Sequence, residues 1–227
     1  EQAVNEFLSR GAFPGLIKTG HTEALHQLYT EILCKDAVIA GGIRDRNTLQ
    51  RMALHLITNT GEPVTANKLR EKLKIKAVST AAEHMQCIET AGLVRFVSIL
   101  SDNPARQAVN PRKVYAVDTA LAAAVSTAET VDRNKLFETM LFNHLCRESR
   151  SVCYTNEQGG CDFIASDAEG GVRCIQACYD DDPDLMQTKT DGLLWALRQT
   201  GASRGTIVTA DRNDRIDAEN FEIEVID

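Results

Sequence analysis

Three residues in the C-terminal half have chemical types and spacings that favour a shared site. Asp162 and Gln176 lie in segments with strand-like alternation, and Glu138 lies on the helix-like segment before them. Side chains alternate between the two faces of a strand, so Gln176 shares a face with Cys178. A hairpin around residues 168–171 brings Asp162 and Gln176 onto one common face. Carboxylate oxygens in such a cleft are the ligands that Mg²⁺ prefers.

The order of these residues is similar to that of the PD-(D/E)XK nucleases. In those enzymes an Asp lies on one strand, and Glu or Gln, any residue and Lys follow on the next. The acids hold Mg²⁺, and the Lys positions or activates the attacking water. Here Gln176 stands at the second acid and Cys178 at the Lys. A thiol supplies no fixed cation, and a single acidic strand ligand binds Mg²⁺ poorly.

The pattern therefore predicts a degenerate nuclease site at Glu138, Asp162 and Gln176, with Cys178 in place of Lys. No bound metal is expected, and Glu138 and Asp162 are the two candidates for metal ligation. We expect the chain not to be catalytic. A Mg²⁺-dependent nuclease that uses these two carboxylates is the third of three functional alternatives.

The elements that position these residues begin after Asp118. The pattern predicts three helices, a short one from Leu121 to Val125, one from about Arg133 and one capped by Asp184, together with five strands. The strands are predicted at 151–155, 160–166, 172–179, 205–209 and 221–225. This order of helices and strands predicts an α/β domain with a mixed sheet.

The preceding segment, residues 47–118, has a different pattern, in which three predicted helices are followed by two predicted strands. Leu49 to Ile57 forms the first helix, and Thr65 is a candidate N-cap for the second. The third helix starts at Ser79 or Thr80 and ends at Gly92, a residue suited to helix C-termini. Strands follow at 93–100 and 113–117. This is the arrangement of a winged helix-turn-helix, and it follows N-terminal helices in residues 1–46.

Basic residues gather where a winged helix meets DNA. A helix in a major groove presents its N-terminal side chains to bases while nearby cations contact phosphates. We expect the polar residues at the start of the third helix to point outward, and the basic residues of the turn and wing to reach the backbone. The nucleic-acid-binding candidates are Lys68, Lys72, Lys74, Lys76, Ser79, Thr80, His84, Arg106, Arg112 and Lys113.

Charge is distributed unevenly along the chain. Residues 47–115 have a local net charge of +5 (10 basic, 5 acidic), and residues 132–227 have −9 (10 basic, 19 acidic). Such asymmetry indicates two modules with different partners. The seven cysteines form no CxxC pair, which favours reduced thiols in the cytoplasm. No apolar run approaches the ~20 residues of a membrane span, so no membrane partner is expected.

Almost the whole chain resembles the C-terminal domain of unknown function that follows the ATPase core in many prokaryotic AAA-type ATPases. The resemblance lies in the serial order of several blocks. They are residues 7–14, 29–32 with 35–36, 88–94, 113–121, 136–138 and 161–164. Three departures are Gly15, where an acid usually stands, Ala120 in place of a Gly, and Cys178 in place of a Lys.

The resemblance implies an α+β organisation with N-terminal helices linking to an absent ATPase core (1–46), a winged helix (47–118) and a restriction-endonuclease-like domain (119–227). ATP and Mg²⁺ would bind the core, so no cofactor is expected here. The favoured function is a regulatory, DNA-binding module whose partners are double-stranded DNA and the ATPase core. The second alternative is a protein-interaction or homo-oligomerisation module.

Overall fold

The computed structural model describes most of the chain, and all structural statements below concern these residues. They are residues 2–13, 22–35, 43, 45–101, 103, 105, 107, 110–126, 132–157, 159–180, 182–218 and 220–227. The candidate Arg106, and the departure noted at Gly15, lie outside them.

The described part is an α+β fold with eight helices and nine strands. The helices are α1 (Gln2–Arg10), α2 (Thr22–Ile32), α3 (Arg46–Thr58), α4 (Ala66–Leu73), α5 (Val78–Thr90), α6 (Thr119–Val125), α7 (Arg133–Glu148) and α8 (Pro183–Thr200). The strands are β1 (Pro63–Val64), β2 (Val94–Val97), β3 (Arg112–Ala116), β4 (Ser151–Cys153), β5 (Phe163–Ser166), β6 (Val172–Cys178), β7 (Arg204–Thr209), β8 (Asp214–Ala218) and β9 (Phe221–Ile226). The predicted fold class is confirmed.

A small antiparallel sheet has the strand order β1-β3-β2 and packs with α3, α4 and α5. Thr65 is the N-cap of α4, as predicted, and its side chain accepts a hydrogen bond from the Lys68 amide. The two-residue strand β1 was not predicted from the sequence. The predicted order of three helices and two strands is confirmed, and β3 lies at the centre of the sheet.

The second sheet is mixed, as predicted, with the strand order β4-β5-β6-β7-β9-β8. The β6–β7 and β7–β9 pairs are parallel and the others are antiparallel. The edge strand β8 was not predicted. Helix α8 begins at Pro183 with Asp182 as its N-cap, so the prediction of Asp184 as the cap was wrong. Proline is favoured at the first helical position because the amide that it lacks has no partner there.

Two apolar clusters cover the opposite faces of the mixed sheet. Phe163 and Ile175 point toward the larger cluster, which extends through α7 into the small sheet and helices α1 to α6. Ile164 and Cys178 point toward the smaller cluster beneath α8. The predicted alternation is therefore confirmed from Phe163 onward and along β6, but it does not extend to Cys161, which lies in the smaller cluster with Ile164.

The larger core is continuous across the division drawn at residue 118. Tyr115 of β3 stacks on Phe142 of α7 with ring centroids 4.3 Å apart, and its ring lies 5.8 Å from Phe163 of β5. Next to this contact, the Leu100 amide donates to the Tyr154 carbonyl at 2.7 Å. The small and mixed sheets are thus packed together through β3, and this contact brings the small sheet to the predicted acidic site.

Candidate functional site

Asp162 and Gln176 face each other across the predicted hairpin. Phe163 pairs with Ile175 in the β5–β6 register, so Asp162 lies opposite Gln176 just before β5 begins. The Asp162 amide donates to Gln176 Oε1 at 3.0 Å. The two residues are close together, as predicted, but Gln176 contacts the Asp162 backbone amide and not the carboxylate, so the two side chains do not share a cleft.

The Gln176 side chain is completely buried and is bonded to the backbone. Its amide nitrogen donates to the carbonyls of Gly160 and Lys189, at 2.8 and 2.9 Å. These bonds tie the loop before β5 and helix α8 to the centre of the sheet. Gln176 therefore holds the backbone around Asp162, and its amide is directed away from the carboxylates.

Two lysines and a tyrosine complete the group around the carboxylates. Lys113 Nζ lies 2.8 Å from Glu138 Oε1 and 3.1 Å from Asp162 Oδ1. Lys189 pairs with the other oxygen of Asp162, and Tyr115 donates its hydroxyl to Glu138 Oε1 at 2.5 Å. We call these five residues (Lys113, Tyr115, Glu138, Asp162 and Lys189) the ion cluster.

The ion cluster is well shielded from solvent. The exposed fractions of the four charged side chains lie between 9% for Asp162 and 18% for Lys189. Two ammonium groups face two carboxylates, so the formal charges balance. The Ala177 amide adds a further hydrogen bond to Asp162 Oδ2 at 3.1 Å. Buried charges need this kind of pairing, because an isolated ion in the interior is costly.

The two carboxylates have opposite pKa shifts. Burial raises the pKa of Glu138, and the nearby Asp162 charge raises it further, while the lysines act in the opposite direction. Burial also acts to raise the pKa of Asp162, but Lys113, Lys189 and the Ala177 amide outweigh it, so this pKa lies below its ordinary value. Asp162 is therefore the fixed anion of the cluster.

Cys178 occupies the position of the missing motif lysine and is itself buried. Its exposed fraction is 1%, and its thiol donates to the Asp180 carbonyl at 3.3 Å. Lys189 instead brings an ammonium to Asp162 from α8. Gly192, one turn later on the same helix, allows this approach, since a Cβ there would lie 1.9 Å from the Gly160 carbonyl oxygen.

Sequence reasoning missed Tyr115 and Lys189 as neighbours of the carboxylates. The position of Lys189 in the sequence does not match the lysine of the nuclease motif relative to Glu138 or Asp162. Gly192 in the middle of a helix is a signal that α8 approaches another backbone closely, and it could have drawn attention to this face. Tyr115 lies two residues after Lys113 on the same side of the sheet.

The residues present do not fit a divalent metal ion. Mg²⁺ requires near-octahedral oxygen coordination, whereas lysine ammonium groups contact both Asp162 oxygens and Glu138 Oε1. In the described part of the chain, no group of three or more His, Cys, Asp and Glu side chains has metal-site geometry.

The lysine-rich turn between α4 and α5 lies at the surface, away from the ion cluster. Lys68, Lys72, Lys74 and Lys76 are exposed, and none pairs with a carboxylate of the described residues. Lys74 ends α4 in a left-handed conformation, at φ 56°. We call these four side chains the lysine ridge.

Helix α5 and the wing border a surface groove whose described lining contains none of these four lysines, whereas Lys68 and Lys72 line a separate pocket with His55 and Glu62. The groove has a volume of about 530 Å³ and is lined by Val78 and Ala82 of α5 and by Asn110 and Arg112 of the wing, among others. The Arg112 guanidinium lies 4.5 Å from the centre of the Phe96 ring. Ser79 is exposed, as expected, whereas Thr80 is half-buried.

Two nucleic-acid-binding candidates point inward. His84 is only 3% exposed, so the expectation that it points outward was wrong: its position on α5 faces the core, and burial lowers the pKa of its imidazole. Lys113 belongs to the ion cluster and is not displayed on the wing. Because side chains alternate along β3, Arg112 and Lys113 face opposite sides of the strand.

A protein-family model described as a domain of unknown function, DUF8612, matches residues 1–132. The chain belongs to this family. No curated protein and no solved structure matches the chain. Among the described helices, none is both long and apolar enough to cross a lipid bilayer.

The DUF8612 match ends just before α7. It includes the small sheet, the lysine ridge and the two β3 members of the ion cluster, Lys113 and Tyr115. Glu138, Asp162 and Lys189 come from the part of the chain after the match. The ion cluster is therefore assembled from both sides of the end of the DUF8612 match.

Proposed function

We propose that this chain binds double-stranded DNA through the lysine ridge and the groove between α5 and the wing. The observation that carries the proposal is the exposure of Lys68, Lys72, Lys74 and Lys76 without carboxylate partners in the described structure. Exposed, unpaired ammonium groups attract phosphates, and their binding releases the counterions of the DNA.

The start of α5 supports this proposal. Its N-cap, Ala77, makes no side-chain capping bond, so the first amides of a 13-residue helix remain available to an anion. Ser79 and Thr80 lie beside them, and Arg112 borders the opposite wall of the groove. A duplex seated here would place α5 at the base edges and the lysine ridge against a phosphate backbone.

The second half of the chain supplies no comparable surface. Its local net charge is −9 over residues 132–227, which repels phosphates at long range. In this proposal the half with the mixed sheet is a catalytically inactive, nuclease-like scaffold. By the resemblance described above, the chain is the regulatory C-terminal module of a prokaryotic AAA-type ATPase, whose core would hold ATP and Mg²⁺.

The test is fluorescence anisotropy with a labelled DNA duplex at two salt concentrations. Four phosphate contacts would weaken binding by about 100-fold between about 50 and about 200 mM KCl. The double variant Lys72→Glu/Lys76→Glu is expected to lower affinity by at least about tenfold and to reduce the salt dependence by about two contacts.

The control carries the same charge change on the other half. Arg150→Glu/Arg173→Glu replaces two exposed arginines and should leave the affinity nearly unchanged. Equal loss in both variants would mean that only total charge matters, and the proposed interface would be wrong. A DNA affinity that changes neither with salt nor with the lysine substitutions would favour the protein-interaction alternative. The same alternative would be favoured if the chain does not bind DNA but self-associates in sedimentation experiments.

The ATPase part of the proposal has its own experiment. The same anisotropy titration on a full-length chain that includes an ATPase core, with and without ATP, should show nucleotide-dependent DNA affinity. An affinity that is identical in both conditions would contradict a regulatory coupling, and would leave DNA binding by the lysine ridge unaffected.

A further inference from the structure

The ammonium of Lys113 occupies the space between two carboxylates of different elements. Glu138 Oε1 lies 2.8 Å from it and Asp162 Oδ1 lies 3.1 Å from it. An ion that bridged these oxygens would have to take the same position. The disagreement with a metal site is therefore steric as well as electrostatic.

Strand β3 keeps this ammonium in place. Lys113 pairs with Pro63 of β1 on one side and with Val97 of β2 on the other, so its backbone is fixed at the centre of the small sheet. The Tyr154 ring lies 5.5 Å from Nζ, and the Tyr154 hydroxyl donates to the Pro111 carbonyl at 2.6 Å. The strand pairing therefore fixes where the Lys113 side chain starts, and its contacts with the two carboxylates fix where the ammonium lies.

The lysine and the two carboxylates come from different parts of the fold. Lys113 comes from the small sheet, whereas Glu138 and Asp162 come from α7 and from the residue before β5. The charge of the two carboxylates is thus balanced by a lysine from the other sheet. The contact of Lys113 with these carboxylates lies next to the stacked Tyr115 and Phe142 rings. The same interaction fills the acidic site and joins the two sheets.

We infer that Lys113 is the permanent counter-cation of the Glu138–Asp162 pair: it takes the place of a divalent metal, closes the pair to metal ions and fixes the small sheet on the mixed sheet. This inference does not depend on DNA binding. It rests on the proposed function in one respect: for a nuclease-like half, the inserted lysine is a cause of inactivity in addition to the motif residues lost at Gln176 and Cys178.

The first experiment measures Mn²⁺ binding from the loss of the free-ion electron paramagnetic resonance signal. Wild-type protein should show no saturable site. Lys113→Met, and Lys113→Gln as a variant that keeps a hydrogen-bond donor, should each gain one site, with an affinity at least about tenfold above any wild-type binding. Addition of Asp162→Asn to either variant should abolish the gained site.

Lys189→Met is the matched control. It removes an ammonium from the same carboxylate but leaves Lys113 between Glu138 and Asp162, so no Mn²⁺ site should appear. A saturable wild-type site that Asp162→Asn removes would overturn the inference. Folded Lys113 variants that bind no Mn²⁺, or an equal gain in Lys189→Met, would also overturn it.

A second experiment uses only the wild-type protein and therefore does not depend on whether the variants fold. Acylation by a succinimidyl ester, followed by peptide mass spectrometry, should modify Lys72 and Lys76 readily and leave Lys113 protected by at least about tenfold. Acylation of Lys113 at the rate of the exposed lysines would show that its ammonium leaves the pair, contrary to a permanent role.

Discussion

Lys113 Nζ lies 3.1 Å from Asp162 Oδ1, although the two residues are 49 positions apart and Lys113 lies in the small sheet while Asp162 immediately precedes β5 of the mixed sheet. The carboxylate is 9% exposed and the lysine side chain 15%. Removal of one member of such a pair leaves an uncompensated charge in the interior, which costs more than the pair contributes when intact. Four of the following predictions concern the stability that depends on this cluster and its supports.

Asp162→Asn should destabilise the protein strongly. The substitution removes the carboxylate charge that Lys113 and Lys189 share, and Glu138 is then the only anion of the cluster. We expect the free energy of unfolding to fall by about 3 kcal/mol. Urea denaturation followed by circular dichroism measures this. Asp191→Asn, on the exposed side of α8, should change stability by less than about 0.5 kcal/mol. Equal effects of the two substitutions would contradict a buried anion.

The contribution of Asp162 should also depend on pH. Its folded-state pKa is lowered, mainly by Lys113 and Lys189 acting against burial, so its stabilising contribution is complete above the ordinary aspartate pKa of about 3.9 and is lost as pH falls toward the folded value. The stability difference between wild type and Asp162→Asn should be constant from neutral pH down to about 5 and then decrease. A difference that grows with acid would contradict this assignment.

Glu138→Gln should be milder than Asp162→Asn at neutral pH. Burial and the Asp162 charge raise the pKa of Glu138, so its contribution is complete below the ordinary glutamate pKa of about 4.3 and is lost as pH rises through the folded value. A glutamine still accepts the Tyr115 hydroxyl, and we expect a loss of about 1 kcal/mol at neutral pH and a larger one in mild acid. Urea denaturation of wild type and Glu138→Gln at neutral pH and in mild acid measures the two losses. A smaller loss of stability in acid than at neutral pH would contradict a raised Glu138 pKa.

Gly192→Ala should destabilise the protein although it lies inside a helix. Alanine is usually favoured over glycine there by about 1 kcal/mol. A Cβ at residue 192 would lie 1.9 Å from the Gly160 carbonyl oxygen and 3.1 Å from Gln176 Nε2, so α8 must move away from the mixed sheet and take Lys189 with it. We expect a loss of at least about 2 kcal/mol, measured by thermal unfolding. Gln199→Ala, at an exposed position of α8, should stay within about 0.5 kcal/mol of wild type.

Arg112→Ala should weaken DNA binding without a comparable loss of stability. Arg112 borders the groove beside α5 and stacks on Phe96, and a lost phosphate contact should reduce the salt dependence of binding by about one ion. Anisotropy at several salt concentrations measures the slope. Arg173→Ala, on the acidic half, should leave the slope unchanged, and a matching decrease there would exclude a specific role for the wing.

The local elements were predictable because each depends on residues close together in the chain. Alternation over residues 160–166 and 172–179 predicted the hairpin, and the register of that hairpin places Asp162 opposite Gln176. Thr65 was recognised as a cap because a threonine oxygen reaches the amide three residues later. Strand β8 escaped prediction because its sequence, Asp214 to Ala218, is too polar to resemble a buried strand.

The residues of β3 alone could not predict which face of the strand is buried. Alternation required Arg112 and Lys113 to face opposite sides, but it did not say which side would be covered by α7 and β5. A wing exposed to solvent would have left both available to DNA. His84 poses the same problem, since the faces of a short helix are distinguished only by what packs on them.

The sequence by itself determined the order of helices and strands, the mixed sheet, the hairpin that joins Asp162 to Gln176 and the absence of the motif lysine at Cys178. These follow from periodicity and capping, which act over a few residues. The tertiary structure alone decided that Lys113 and Lys189 converge on the carboxylates, across separations of 25 to 49 residues. Such contacts depend on how layers pack, and packing is fixed by the shared core around Tyr115, Phe142 and Phe163 rather than by any local pattern.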